Sequence, residues 1–283
     1  NITVKLPDGT DLDKNHRVTV TVTDHKKNPQ ENKNIIVKGD LSQTAKGKTD
    51  QDGKLTVPEI EERERHGAYI LGYTDGTFGP SRSMTRAEAA AIFARLLAEK
   101  NGDTISTVAN TRFTDIPAHA WYSGYAKYLN NNGVTYGKSK TIFAPNDAIT
   151  RAEFTALAVR FFDVYGDGDA EIMEQYKDFN DVSDGYWAAT YIKAAAKHGW
   201  INGYEDGTFR PNNTITRAEV TTIVNRMLGR AADKDYVDSH KDQLRQFPDV
   251  AQTNWAYYNI VEATNAHDYE KSGGTEDWTG LAD

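Results

Sequence analysis

Thr85-Arg86-Ala87-Glu88 recurs as Thr150-Arg151-Ala152-Glu153 and as Thr216-Arg217-Ala218-Glu219, at intervals of 65 and 66 residues. A second word keeps step with it. Phe113-Thr-Asp115, Phe179-Asn-Asp181 and Phe247-Pro-Asp249 are each followed, six residues after the Asp, by Trp121, Trp187 and Trp255. Repetition at a fixed period decides the fold before any single element does. Most of the chain therefore reads as three copies of one unit.

The four-residue word has a local meaning. Its Thr and Glu fit the capping box, in which an N-cap hydroxyl accepts the N3 amide and the N3 Glu reaches back to the N-cap amide. An apolar run follows each copy: Ala89 to Leu97, Phe154 to Phe162 and Val220 to Leu228. The motif Arg then falls at N1, where the helix dipole disfavours a cation. One reading makes Arg86, Arg151 and Arg217 solvated surface residues. The other makes them, with helix-end amides, an anion site. Threefold recurrence favours the second.

Bulk properties bound the function. The net charge of −8 argues against nonspecific binding to nucleic acid or to an anionic membrane. Residues 1–66 carry 12 Lys/Arg against 12 Asp/Glu, and the rest 21 against 29, so the repeats are acidic and must hold any anion through local arginines. The absence of Cys excludes disulfides and thiolate chemistry. No run approaches the ~20 apolar residues of a membrane span. Tyr165-Gly-Asp-Gly-Asp169 lacks the ligand spacing of an EF-hand loop, and neither a metal site nor a cofactor is expected. The start at Asn1 is read as that of a piece cut from a longer protein.

Residues 1–60 read as β structure. Val18 to Thr23 alternates apolar and polar, Ile35 to Val37 and Leu55 to Val57 are short strands, and Lys27-Asn28-Pro29 and Asp50 to Gly53 are turns. Residues 61–68 read as a linker, and 69–283 as the repeats. These begin in mid-unit, with the back half at 69–98, and end on a front half at 247–270. The expected closure sets the Trp255 helix beside the Thr85 helix, so that Arg86 shares a groove with the far end of the chain.

The words Phe-x-Asp…Trp, Gly203-Tyr-Glu-Asp-Gly-Thr-Phe-Arg-Pro211 and Ile215-Thr-Arg-Ala-Glu219 resemble the S-layer homology domain over roughly residues 67–270. The first 60 residues resemble a partial bacterial immunoglobulin-like or transthyretin-like module. The resemblance implies a mainly α protein: a pseudo-threefold trimer of repeats with a central helical bundle, joined to a small all-β sandwich-like spacer. It implies noncovalent anchoring of a secreted protein to the cell wall, by binding secondary wall polysaccharide bearing anionic pyruvate ketals. Contacts with other S-layer subunits are the further partner it suggests. The implied ligand contacts are Arg86, Arg151 and Arg217, with Asp115, Asp181 and Asp249 and with Trp121, Trp187 and Trp255. Gly72, Gly137 and Gly203 sit where backbone turns or approaches a ligand closely. Other readings stand beside these: the Trp side chains as core, the Asp side chains as N-caps. Lattice formation, or service as an appendage of a carbohydrate-active enzyme, are the competing functions. A catalytic role is not expected, because the same acids recur three times instead of converging on one cleft. The middle unit departs from the pattern, with Lys138 where the others have Tyr73 and Tyr204.

Overall fold

The computed structural model describes residues 64–166, 178–272 and 275–282, and before them the strands named below with residues 23–24, 26–29 and 51. The acidic stretch at 167–169 lies outside the described residues, as does most of the 50–53 turn. The chain divides into two compact units, 1–64 and 65–283.

In the first unit, β1 (Ile2–Lys5) pairs parallel with β3 (Asn34–Lys38), which pairs antiparallel with β4 (Thr44–Lys48). A second, antiparallel pair joins β2 (Thr19–Thr21) to β5 (Lys54–Thr56). Strands β2, β3 and β5 fall on the three runs read as strands, whose β-branched residues suit a pleated surface; β1 and β4 were not read from the sequence.

The second unit is mainly helical. Helices α1 (Arg86–Asn101), α3 (Arg151–Tyr165) and α5 (Arg217–Leu228) each follow a complete capping box at Thr85, Thr150 and Thr216. Each ends at a left-handed glycine, Gly102, Gly166 or Gly229. Their side chains are buried nearly all round, as in helices at the centre of a core. Amphipathic helices α2 (Ser123–Asn131) and α4 (Ala189–Lys197) pack on α1 and α3. The short α6 (Lys234–Ser239) was not evident in the sequence; Asp233 caps it. Helix α7 (Tyr257–Thr264), which follows Trp255, packs on α5 and not on α1 as expected. The reason is adjacency: each front-half helix folds back on the capping-box helix that precedes it in the chain.

A sheet that sequence reading missed closes this unit. β6 (Glu64–His66), from the expected linker, joins the hairpin of β7 (His267–Ser272) and β8 (Thr275–Leu281). Its order is β6-β7-β8.

Just before the capping boxes, the three repeats meet in a closed ring of backbone hydrogen bonds. The Met84 amide donates to Ile215 O, Ile215 to Ile149 O, and Ile149 to Met84 O, at 3.0, 3.1 and 2.9 Å. All three side chains are buried, so Met84 takes the place of Ile without leaving the core.

Candidate ligand-binding grooves

The motif arginines are not solvated. Arg86, Arg151 and Arg217 are 8%, 6% and 3% exposed. Each Nε donates to the carbonyl of a Phe in another repeat: Arg86 to Phe143, Arg151 to Phe209 and Arg217 to Phe78, at 2.7–2.8 Å. Each also pairs with the capping-box Glu of another repeat, Arg86 with Glu153 at 3.2 Å, Arg151 with Glu219 at 2.6 Å and Arg217 with Glu88 at 3.6 Å. The Glu therefore has two jobs: Oε2 caps its own helix while Oε1 meets the incoming guanidinium. Arg86 takes these partners from the middle of the chain, not from its far end. Burial lowers the Arg86 and Arg217 pKa values, opposed by the Glu charges (and, at Arg217, first by Tyr73).

The helix-end amides are also engaged. Arg86, Arg151 and Arg217 amides donate to the carbonyls of Asp147, Asn213 and Arg82, and the next amides to those of Pro145, Pro211 and Pro80. With the N3 amide on the capping Thr, the first-turn donors are satisfied within the protein. An open anion site at these termini is thereby filled by neighbouring carbonyls.

The motif aspartates close on the same loops. Asp115 accepts from the Phe143 and Ala144 amides, Asp181 from Phe209 and Arg210, and Asp249 from Phe78 and Gly79, at 2.6–3.2 Å. None caps a described helix. Each Asp thus holds the N–H, and each Arg the C=O, of one Phe residue. The second residue of each pair is left-handed: Ala144 and Arg210 at φ 57°, Gly79 at φ 69°. Such a turn aims successive amides at one anion, here the Asp carboxylate.

The tryptophans face solvent. They lie in the turn before α2, α4 and α7, not inside the helices, and are 56%, 54% and 66% exposed at Trp121, Trp187 and Trp255. A core role is excluded. Trp187 lines a groove of about 490 Å³ with Arg86, Gly137, Lys138, Glu153 and Arg160. Trp255 borders an open concavity with Gly203, Tyr204 and Arg210. Trp121 stands edge-on to Tyr122 and Tyr125.

At the glycines the close neighbour is a ring of the protein. A Cβ on Gly72, Gly137 or Gly203 would come within 2.4–2.5 Å of Phe247, Phe113 or Phe179. Gly137 and Gly203 also take positive φ. The Asp-Gly-Thr-Phe turns are structural: Asp75 and Asp206 accept from the amides and hydroxyls of Thr77 and Thr208. So are Arg160, on the Tyr191 hydroxyl, and Arg95, over the Tyr125 ring.

No helix among the described residues is long and apolar enough to cross a membrane. A cellulosome-anchoring protein of Acetivibrio thermocellus is 33% identical over 226 residues, 79% of this chain and 48% of that protein. A surface-layer 125 kDa protein of Lysinibacillus sphaericus is 34% identical over 163 residues, 56% of this chain and 13% of its own length. An amylopullulanase of Thermoanaerobacterium thermosulfurigenes is 33% identical over 172 residues, 58% of this chain and 8% of its own. The chain spans about half the length, or less, of these relatives. Residues 56–90, 112–155 and 178–221 match the S-layer homology domain, each match containing or ending just past one copy of the capping-box word. The chain thus carries three S-layer homology domains, the repeat of cell-wall-associated surface proteins.

Proposed function

We propose that the three domains anchor a secreted protein to the bacterial wall by binding secondary wall polysaccharide, with its pyruvate ketal groups held in the grooves between repeats. The observation that carries this reading is the Arg86 groove. It brings a guanidinium edge, a bent glycine backbone and an exposed indole from three different repeats around one cavity. A ketal carboxylate suits the cationic side chains there, and a sugar ring suits the Trp187 face. Arg151 with Trp255 would serve a second groove, and Arg217 with Trp121 a third. Asp115, Asp181 and Asp249 act on the ligand through the Phe loops they hold.

This reading includes a pseudo-threefold trimer around a helical bundle, in which the 247–270 front half completes the 69–98 back half. The Asp249 bonds to Phe78 and Gly79, and the packing of Phe247 on Phe78, support it. Residues 1–60 serve as an immunoglobulin-like spacer. Binding, not catalysis, is the role assigned to the repeats; contact with S-layer subunits, or service as the wall-binding appendage of an enzyme, is compatible with it.

The test is sedimentation with isolated wall sacculi. The chain should pellet with them, less so as salt rises, and should stay in solution once hydrofluoric acid has stripped the polymer. Trp187→Ala should weaken retention about tenfold, roughly 1.4 kcal/mol, with an unchanged melt. Undiminished pelleting on stripped sacculi, or full retention of the Trp187→Ala chain, would refute the proposal.

A further inference from the structure

Away from the grooves, the start and end of the repeat unit meet in a buried polar cluster. It contains His66 from β6, Glu262 from α7, His267 from β7 and Glu276 from β8. One ligand atom each from His66, Glu262 and Glu276 lie within 4.8 Å of one another. Glu262 and His267 are both 0% exposed, yet Glu262 Oε2 and His267 Nε2 have no hydrogen-bond partner.

Glu276 has a partner on each oxygen, Glu262 on one only. Arg230 Nε donates to Glu262 Oε1 at 2.9 Å, and the Ala231 amide to Glu276 Oε2 at 3.1 Å. The remaining oxygens point at imidazoles: Glu276 Oε1 lies 3.0 Å from His66 Nε2, and Glu262 Oε2 lies 3.4 Å from His267 Nε2. His267 Nδ1 lies 2.9 Å from the Asn265 carbonyl. A carbonyl only accepts, so Nδ1 carries the hydrogen and the neutral ring turns a lone pair on Nε2 toward Glu262. Two buried acceptors then face each other.

We propose that His66, Glu262 and Glu276 form a binding site for a divalent metal ion of the zinc class, with His267 beside it against Glu262. Ligands about 2.0–2.1 Å from a tetrahedral ion stand about 3.3–3.4 Å apart; His66 Nε2 and Glu276 Oε1 lie 3.0 Å apart, and the three ligand atoms lie within 4.8 Å of one another. An imidazole with two carboxylates suits zinc better than calcium, which prefers oxygen alone. The outer contacts have the form that orients metal ligands: Arg230 and the Ala231 amide on the carboxylates. His267 and His66 are further fixed by stacking on Trp278 and Tyr269. No sequence motif marks the site, because its ligands lie at position 66 and at 262–276. An ion there would tie the first strand of the repeat unit to its last helix and hairpin.

The test uses the whole chain, stripped with chelator and desalted. With Zn2+ it should retain about one ion per chain and melt about 5–10 °C higher. Co2+ should give the visible absorption of a four-coordinate site. Glu276→Gln should lose both the retained metal and the melting shift. Failure of the unsubstituted chain to retain Zn2+ or to colour with Co2+ overturns the proposal, whatever the variant does. A melting shift with Ca2+ but not Zn2+ also overturns it, as does a folded Glu276→Gln chain that binds Zn2+ unchanged.

Discussion

The surroundings of Arg86 and Arg217 differ by one loop residue. Arg217 lies between two rings, Tyr73 at 4.5 Å and Phe78 at 4.7 Å, and the Tyr73 hydroxyl donates to Glu88 Oε1 at 3.0 Å. Its Nη2 also holds the Leu71 carbonyl at 2.7 Å. Arg151 is enclosed in the same way by Tyr204 and Phe209. At Arg86 the Tyr is replaced by Lys138, which turns away to Asp147 at 2.8 Å. The Phe143 ring lies 5.3 Å from this guanidinium, and the groove beside it reaches Trp187. One word in three copies thus gives arginines in two settings: two covered by a Tyr and a Phe ring, and one whose edge borders the groove that reaches Trp187.

The largest expected effect breaks this comparison most directly. Arg217→Ala leaves the Phe78 and Leu71 carbonyls without their donor and removes the charge paired with Glu88, and should cost about 3–5 kcal/mol in a denaturant melt. Arg86→Ala should cost less, about 1–3 kcal/mol, because Arg86 makes fewer buried bonds. Equal losses would show that the loop does not separate the two sites. Because Arg217 is buried, its replacement perturbs fold and binding together; exposed Trp187 is the cleaner probe.

A smaller effect sharpens the comparison. Lys138→Tyr should restore the ring over Arg86 and the hydroxyl on Glu153, gaining about 0.5–1 kcal/mol of stability. The same change should narrow the groove and lower retention on sacculi. Stability and binding moving in opposite directions would mark the middle loop as the element that opens the site. The smallest effect concerns the loop turn itself. Ala144 holds at φ 57° a conformation that Gly79 adopts without steric cost. Ala144→Gly should stabilise by about 0.5–1 kcal/mol in the same melt, since relief of left-handed strain exceeds the entropy that Gly adds to the unfolded chain.

What the sequence disclosed was local. Thr85, Thr150 and Thr216 cap their helices because a capping box needs only three residues of spacing, and that is visible in one dimension. The burial of the motif arginines was not visible, since their cover comes from loops about 57 to 139 residues away. Trp exposure turned on where each helix begins. Helices that begin at Ala189 and Tyr257 leave Trp187 and Trp255 in the preceding turn, projecting outward. The partner of α7 was misplaced because symmetry of the repeats outweighed chain adjacency in that inference. The β6 strand looked like a charged linker because half of its logic, Asp268 opposite Arg65 and Glu276 opposite His66, sits at the other end of the unit.

The ring through Met84, Ile149 and Ile215 has a consequence for cooperativity. In a linear array the end repeats each lack one neighbour and fray first. A ring of three has as many junctions as members, so no repeat is terminal and losing any one opens two junctions at once. Intermediate states with one repeat melted are penalised twice. Any ligand held between two repeats would therefore be coupled, through that ring, to the folding of the third.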